Sequence, residues 1–249
     1  MVSFRAKRQG LESSENKMIP CWKIDTHLHL SPAEHREGIP AATAAEMLPA
    51  MQALHIRKAL LMSCGETSGT IPGGDNAACC TIARQDPEHF AWACNLDFQD
   101  VDTVEARLVH YKEQGAVGIG EFMINRPVED PFLQAVYAAA GRLGMPVTFH
   151  FFPTVGGGYG VMDEPGLPGL ERMLAAYPHT VFVGHSSPFW AEISGDAPRE
   201  PSRRNAWGAG PVLPGGRLPY LLSRYPNLCA DLSANSGGCA ILRDPDFGL

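Results

Sequence analysis

The sequence has no basic excess. Its 20 Lys and Arg stand against 27 Asp and Glu, a formal net charge of −7. No basic excess is left to neutralise a phosphate backbone, which argues against a nucleic-acid binder. No apolar run is long enough to cross a membrane, and none follows the early basic residues Arg5, Lys7, Arg8 and Lys17, so neither a signal peptide nor an anchor fits. Residues 1–17 have no apolar face to bury and are expected to be a disordered extension, making few contacts and adding little stability. Met18 then opens one barrel domain over 18–249. The seven cysteines, at 21, 64, 79, 80, 94, 229 and 239, lack zinc-knuckle spacing. Their odd number, with no secretory segment before them, predicts reduced thiols and a cytoplasmic protein. Cys64, Cys94 and Cys229 fall in apolar strand-like runs, where a thiol behaves as a small hydrophobe. The sequence also lacks a dinucleotide-binding glycine fingerprint. The glycine run at 156–158 is not closed by Lys and Ser or Thr as a phosphate loop would be.

What is present is an ordinary globular composition, 45% hydrophobic and 19% charged over 249 residues. That length can bury one sizeable core and is typical of a single α/β barrel. Near-continuous apolar strands are expected at about 23–30, 58–63, 90–97, 116–122, 145–151, 180–185 and 228–233. Helical patterns over 41–53, 73–85, 102–114, 130–143, 164–177 and 219–225 alternate with them. Asp102 and Asp130 are read as caps, and Gly115 ends the third helix. Apolar strands alternating with amphipathic helices predict a parallel sheet covered by helices. Without the dinucleotide fingerprint, a TIM-type (β/α) barrel is favoured over a doubly wound sheet. Only seven strands are found. An eighth is due near residue 260, beyond Leu249, so the eighth βα unit is expected to be absent from this chain. Its absence would leave the first and seventh strands with unpaired edges.

The segment Lys23-Ile24-Asp25-Thr26-His27-Leu28-His29-Leu30 organises the chemistry. Its period-2 alternation reads as a strand that puts both imidazoles on one face, where they can share a cation. Two further histidines, His150 and His185, each end an apolar run downstream. Four histidines at or near strand ends are expected to converge within about 4 Å of a common point at the C-terminal mouth of the barrel.

The motifs Asp25-Thr26-His27-Leu28-His29, Gly118-Ile119-Gly120-Glu121, Phe149-His150-Phe151, Gly184-His185 and Asp231-Leu232-Ser233-Ala234 together resemble successive strand ends of the amidohydrolase superfamily. More narrowly, they resemble its amidohydrolase-related (amidohydrolase 2) branch. The resemblance runs from about Ile24 to the C-terminus. It implies that His27 and His29 are first-strand metal ligands and that His150 and His185 are the ligands of strands five and six. It also implies a divalent metal, Zn²⁺ being the one neutral imidazoles suit. Glu121 matches a position that carries a metal-bridging carboxylate in some members. Catalytic candidates are therefore Glu121 and His185.

The family also places an Asp at the end of strand eight, where it binds metal and takes the proton of the attacking water. No residue here matches it, since Asp231 is on strand seven and Asp244 and Asp246 are in the tail. A reading frame that stops early is the favoured explanation. This chain is then expected to bind metal with little hydrolytic activity.

Other residues carry lesser expectations. Asp25 is a candidate to fix the tautomer of His27. The glycine loop after strand five is either a lid with Tyr159 lining the pocket or a plain surface loop. Ser186-Ser187-Pro188-Phe189-Trp190 is substrate wall or packing. Arg199, Arg203 and Arg204 are read as a solvated cluster, with an acidic substrate as the alternative. Three functions stay open: metal-dependent hydrolysis of an amide, ester or lactone of a small molecule; a metal-dependent decarboxylase on the same ligands; or an inactive metal binder. Hydrolysis is the leading expectation, with a small-molecule substrate as the partner and a homo-oligomer left open.

Overall fold

The computed structural model describes residues 21–31, 42–67, 73–156 and 158–248. The extension expected at 1–17 lies outside the described residues. Eight strands are present: β1 Lys23–Leu28, β2 Ile56–Met62, β3 Phe90–Cys94, β4 Gly118–Phe122, β5 Val147–Phe152, β6 Val161–Met162, β7 Phe182–His185 and β8 Leu228–Ala230. All seven expected strands appear within a few residues of their places, and only β6 is additional. The sheet runs β1-β2-β3-β4-β5-β7-β8, with every pairing parallel and β6 lying beside β5. The fold is a TIM-type barrel of parallel strands. Among the described residues no pairing joins β1 to β8, so the eighth place is open and both edges are bare, as the strand count requires. Ile24 on β1 is 68% exposed and Leu232, just past β8, is 54% exposed.

The helices form where local chemistry starts and stops them. In α1 (Ala44–Ala53), Thr43 caps the helix and Glu46 reaches back to it, a capping box. Asp75 accepts from the Ala78 amide at the start of α2 (Asn76–Gln85). Before α3 (Val104–Glu113), Asp102 does not cap as expected. A 3₁₀ turn intervenes, and Asp100 accepts from the Asp102 amide at its start. Asp130 caps α4 (Pro131–Leu143), Pro131 fits the first turn, and Gly144 ends the helix in the left-handed region.

The main core lies between the sheet and these helices. Along β5, Phe149 and Phe151 face outward: Phe149 packs edge-on to Tyr137 of α4 at 5.5 Å and stacks with Phe182 of β7 at 5.9 Å. Strand alternation then turns His150 the other way, into the mouth of the barrel. After β7, Phe189 and Trp190 in a short helix (Ser187–Trp190) are buried. They are packing rather than exposed wall: a Cβ on Gly184 would meet the Phe189 ring at 2.2 Å. The reading of Arg204 as a solvated charge is corrected. It is 2% exposed, donating to the Asp163 carbonyl at 3.1 Å and pairing with buried Glu192 at 3.4 Å. Arg203 stays exposed.

Candidate metal centre

The four histidines meet at one carboxylate. Glu121, at the end of β4, is 3% exposed and its two oxygens point into the mouth. Oε2 lies 3.3 Å from His27 Nε2 and 3.1 Å from His29 Nε2. Oε1 lies 2.7 Å from His150 Nδ1 and 3.6 Å from His185 Nε2. Neighbouring rings are 5.2 Å apart for His27 and His29, 4.7 Å for His27 and His185, and 5.4 Å for His150 and His185. The convergence expected from strand-end spacing is therefore present, with Glu121 at its centre.

Local backbone chemistry puts Glu121 there. Gly120 has φ +127°, and a Cβ on it would lie 2.6 Å from the Thr148 carbonyl oxygen on β5, so β4 can approach β5 this closely only with glycine. Asn95, 4% exposed at the end of β3, donates through Nδ2 to the Glu121 carbonyl at 2.6 Å and to the Ser63 carbonyl at 3.0 Å. It thereby ties the ends of β2, β3 and β4 together.

Three partners join the histidines, and two of these partners, Asp231 and Ser233, belong to the strand-end motif Asp231-Leu232-Ser233-Ala234. Asp231 Oδ2 lies 2.6 Å from His27 Nδ1 and 3.1 Å from His185 Nδ1. Ser233 Oγ donates to the same oxygen at 2.6 Å and lies 3.1 Å from His185 Nδ1. Cys64, read as a small hydrophobe, puts its sulfur 3.7 Å from His29 Nδ1. The backbone at Gly73 closes over that sulfur, and a Cβ there would stand 2.4 Å from it. Asp25 does not fix the His27 tautomer as expected: its Oδ1 accepts from the His27 backbone amide at 3.0 Å, and Asp231 holds the ring. Tyr159 does line the mouth, its ring 4.5 Å from that of His150. The loop that carries it is pinned by Asn125, which donates to the Thr154 and Gly160 carbonyls, both at 2.9 Å.

Electrostatics at the site follow from this crowding. Burial opposes the charge on Glu121, but hydrogen bonds from His150, His27 and His29 outweigh it and hold the carboxyl well below its usual range. Burial likewise opposes charge on His27, yet Asp231 and Glu121 raise its pKa to about 9. For His29, burial is outweighed by Cys64 and Glu121, again to about 9. Asp231, against burial, is held far below the ordinary carboxylate range by His185 and His27. With no cation bound, protons on His27 and His29 thus balance two carboxylates.

The donor geometry fits a cation in place of those protons. Tetrahedral Zn²⁺ with bonds of about 2.0–2.1 Å separates adjacent N and O ligands by about 3.3 Å. His27 Nε2 and His29 Nε2 are 3.2 Å apart, and both stand 3.1–3.3 Å from Glu121 Oε2. Donor atoms of His27, Glu121 and His185 all lie within 4.8 Å of one another. His150 differs, because it turns Nδ1 rather than Nε2 inward and stands at hydrogen-bond distance from Glu121.

Solved structures share this architecture. An uncharacterized TIM-barrel protein from Bordetella bronchiseptica superposes with a TM-score of 0.57 at 17% identity, over 86% of this chain and 78% of that one. A 5-carboxyvanillate decarboxylase from Sphingomonas paucimobilis gives 0.55 at 14% identity, over 91% and 85%. A 2,6-dihydroxybenzoate decarboxylase from Rhizobium gives 0.52 at 14% identity, over 89% and 84%. The chain has their barrel fold. No family model matches the sequence, and no curated protein matches it significantly. Among the described residues, no helix is long and apolar enough to cross a membrane.

Proposed function

We propose that the chain is a metal-dependent hydrolase of the amidohydrolase-related type, acting on an amide, ester or lactone of a small molecule. One observation carries this reading: His27 Nε2, His29 Nε2 and Glu121 Oε2 stand 3.1–3.3 Å from one another, and donor atoms of His27, Glu121 and His185 all lie within 4.8 Å of one another. His27, His29 and His185 would hold the metal through Nε2, and Zn²⁺ suits three imidazoles with a neighbouring carboxylate. A bound divalent cation supplies Lewis-acid polarisation of the substrate oxygen and acidifies water at neutral pH.

The remaining steps belong to this chain's own residues. Glu121 is the carboxylate on the Nε2 side of the imidazoles, so it accepts the proton of the attacking water at one oxygen and passes it to the leaving group. His150, donating from Nδ1 to Oε1 at 2.7 Å, orients that carboxylate. Tyr159, beside His150, forms one wall of the substrate space. The resemblance implies a strand-eight Asp for proton transfer, and Glu121 is the carboxylate found at the imidazole Nε2 atoms.

Decarboxylation is the second reading, favoured by two of the superposed structures being decarboxylases by name. The two reactions differ in product. Zinc-loaded protein assayed on esters, lactones, amides and aromatic carboxylic acids should consume water and release no carbon dioxide. Carbon dioxide release without hydrolysis would replace the first reading with the second.

Metal binding carries its own pH signature. With pKa values of about 9, His27 and His29 each hold an extra proton at pH 7, and a cation must displace both. Apparent zinc affinity should therefore rise with pH, by up to about 100-fold per unit between pH 7 and 8.5, and level off above about 9. Calorimetric titrations in buffers of different ionisation enthalpy would count the released protons. A flat profile from pH 6.5 to 9 would mean that these imidazoles are not the ligands.

A further inference from the structure

Asp231 sits one residue beyond β8, at one edge of the sheet, whereas His27 belongs to β1 at the other edge. No strand pairing joins those edges among the described residues. The Asp231 carboxylate nevertheless spans the gap, with Oδ2 2.6 Å from His27 Nδ1. The same oxygen lies 3.1 Å from His185 Nδ1 and accepts the Ser233 hydroxyl proton at 2.6 Å.

Hydrogen-bond bookkeeping around that oxygen leaves one assignment. An ionised carboxylate offers only acceptors, so His27 Nδ1 must carry a proton to make its contact. Ser233 spends its single hydroxyl proton on Asp231 and can only accept from His185 Nδ1, which must carry a proton as well. Both rings then turn Nε2, the nitrogen left to meet a cation, toward Glu121. The carboxylate is itself fixed. Ser233 N donates to Oδ1 at 3.1 Å, Trp190 Nε1 donates to the Asp231 carbonyl at 2.8 Å, and Asp231 N donates to the Gly184 carbonyl at 2.9 Å.

We infer that Asp231 is the positioning carboxylate of the site, holding His27 and His185 as Nδ1–H tautomers with one oxygen and clamping the β1 edge to the β8 edge across the open side of the barrel. The inference deepens the metal reading above and rests on it only where zinc enters. Metal loading and closure of the barrel are coupled through this residue: a cation that orders His27 and His185 also orders the contact that spans the edges.

The test compares the wild type with Asp231→Asn and Ser233→Ala. In the metal-free wild type, ¹⁵N-edited NMR of the imidazoles should show two slowly exchanging, strongly downfield Nδ1–H protons assigned to His27 and His185. Asp231→Asn should shift or lose both. In zinc titrations it should weaken binding about 10- to 100-fold, the usual effect of removing an outer partner of a ligand histidine. Amide exchange across residues 23–28 should quicken about tenfold and lose its slowing by zinc. Ser233→Ala should change the His185 signal alone, with a several-fold affinity loss, and it decides the matter if Asp231→Asn does not fold. Unchanged imidazole signals in the variants, or no bonded Nδ1–H protons in the wild type, would overturn the inference. If the wild type binds no zinc, the metal reading fails, and the metal-free imidazole spectra still decide the role of Asp231.

Discussion

Glu121→Gln lowers turnover of the zinc-loaded protein by about 10²- to 10⁴-fold, the usual cost of removing a general base. The substitution keeps the shape of the side chain and removes its charge, and its four imidazole neighbours respond in different ways. His150 keeps a bond if the amide oxygen takes the place of Oε1. His27 and His29 lose the anion that, with Asp231 and Cys64, raises their pKa values to about 9, so protons compete less well for Nε2. Zinc therefore stays bound near neutral pH while catalysis fails, and a split between binding and kcat is the expected signature. Equal losses in zinc content and turnover would make Glu121 a ligand whose removal empties the site. Unchanged turnover would hand the proton-accepting role to another group.

Gly120→Ala destabilises the protein by about 2–5 kcal/mol, combining a left-handed backbone with overpacking against β5. At φ +127° an L side chain is strained wherever it points, and here the Cβ would lie 2.6 Å from the Thr148 carbonyl oxygen and 3.1 Å from Thr148 Cβ. Thr148 is 5% exposed on the central strand β5, so it has little freedom to yield. Relief by moving β4 away would carry Glu121 out of reach of the imidazoles, and zinc affinity should fall together with stability. Urea unfolding of the metal-free variant measures the first effect and calorimetry the second. A midpoint within error of the wild type would show that β4 does not depend on this close approach.

The strands and the histidine cluster were legible in the sequence because both rest on local signals. Period-2 alternation puts His27 and His29 on one face whatever the rest of the chain does, and apolar runs carry His150 near the end of β5 and His185 to the end of β7. Asp231 was not legible as a partner of His27. A strand count puts the two at opposite ends of the sheet, and only the curl of the whole barrel brings them to 2.6 Å. Cys64 lies in an apolar run and reads as core, its nearness to His29 being set by the close passage of Gly73. Arg204 sits among charged neighbours and reads as solvated, yet its partners are Glu192, 12 residues away, and the Asp163 carbonyl, 41 away. The short helix Ser236–Leu242 contains two glycines that argue against it. Gly237 is there because a Cβ would meet the Trp190 indole at 2.9 Å, and Trp190 in turn holds the Asp231 carbonyl.

X-ray absorption at the zinc edge of the loaded protein tests the central claim most directly. One bound zinc per chain is expected, with a first shell of nitrogen and oxygen at about 2.0–2.1 Å and the outer-shell scattering of three imidazoles. That signal should weaken by one imidazole in His185→Ala. A sulfur shell at about 2.3 Å would assign the ion to a cysteine such as Cys64, and a spectrum without imidazole scattering would contradict the metal centre built on His27, His29 and His185.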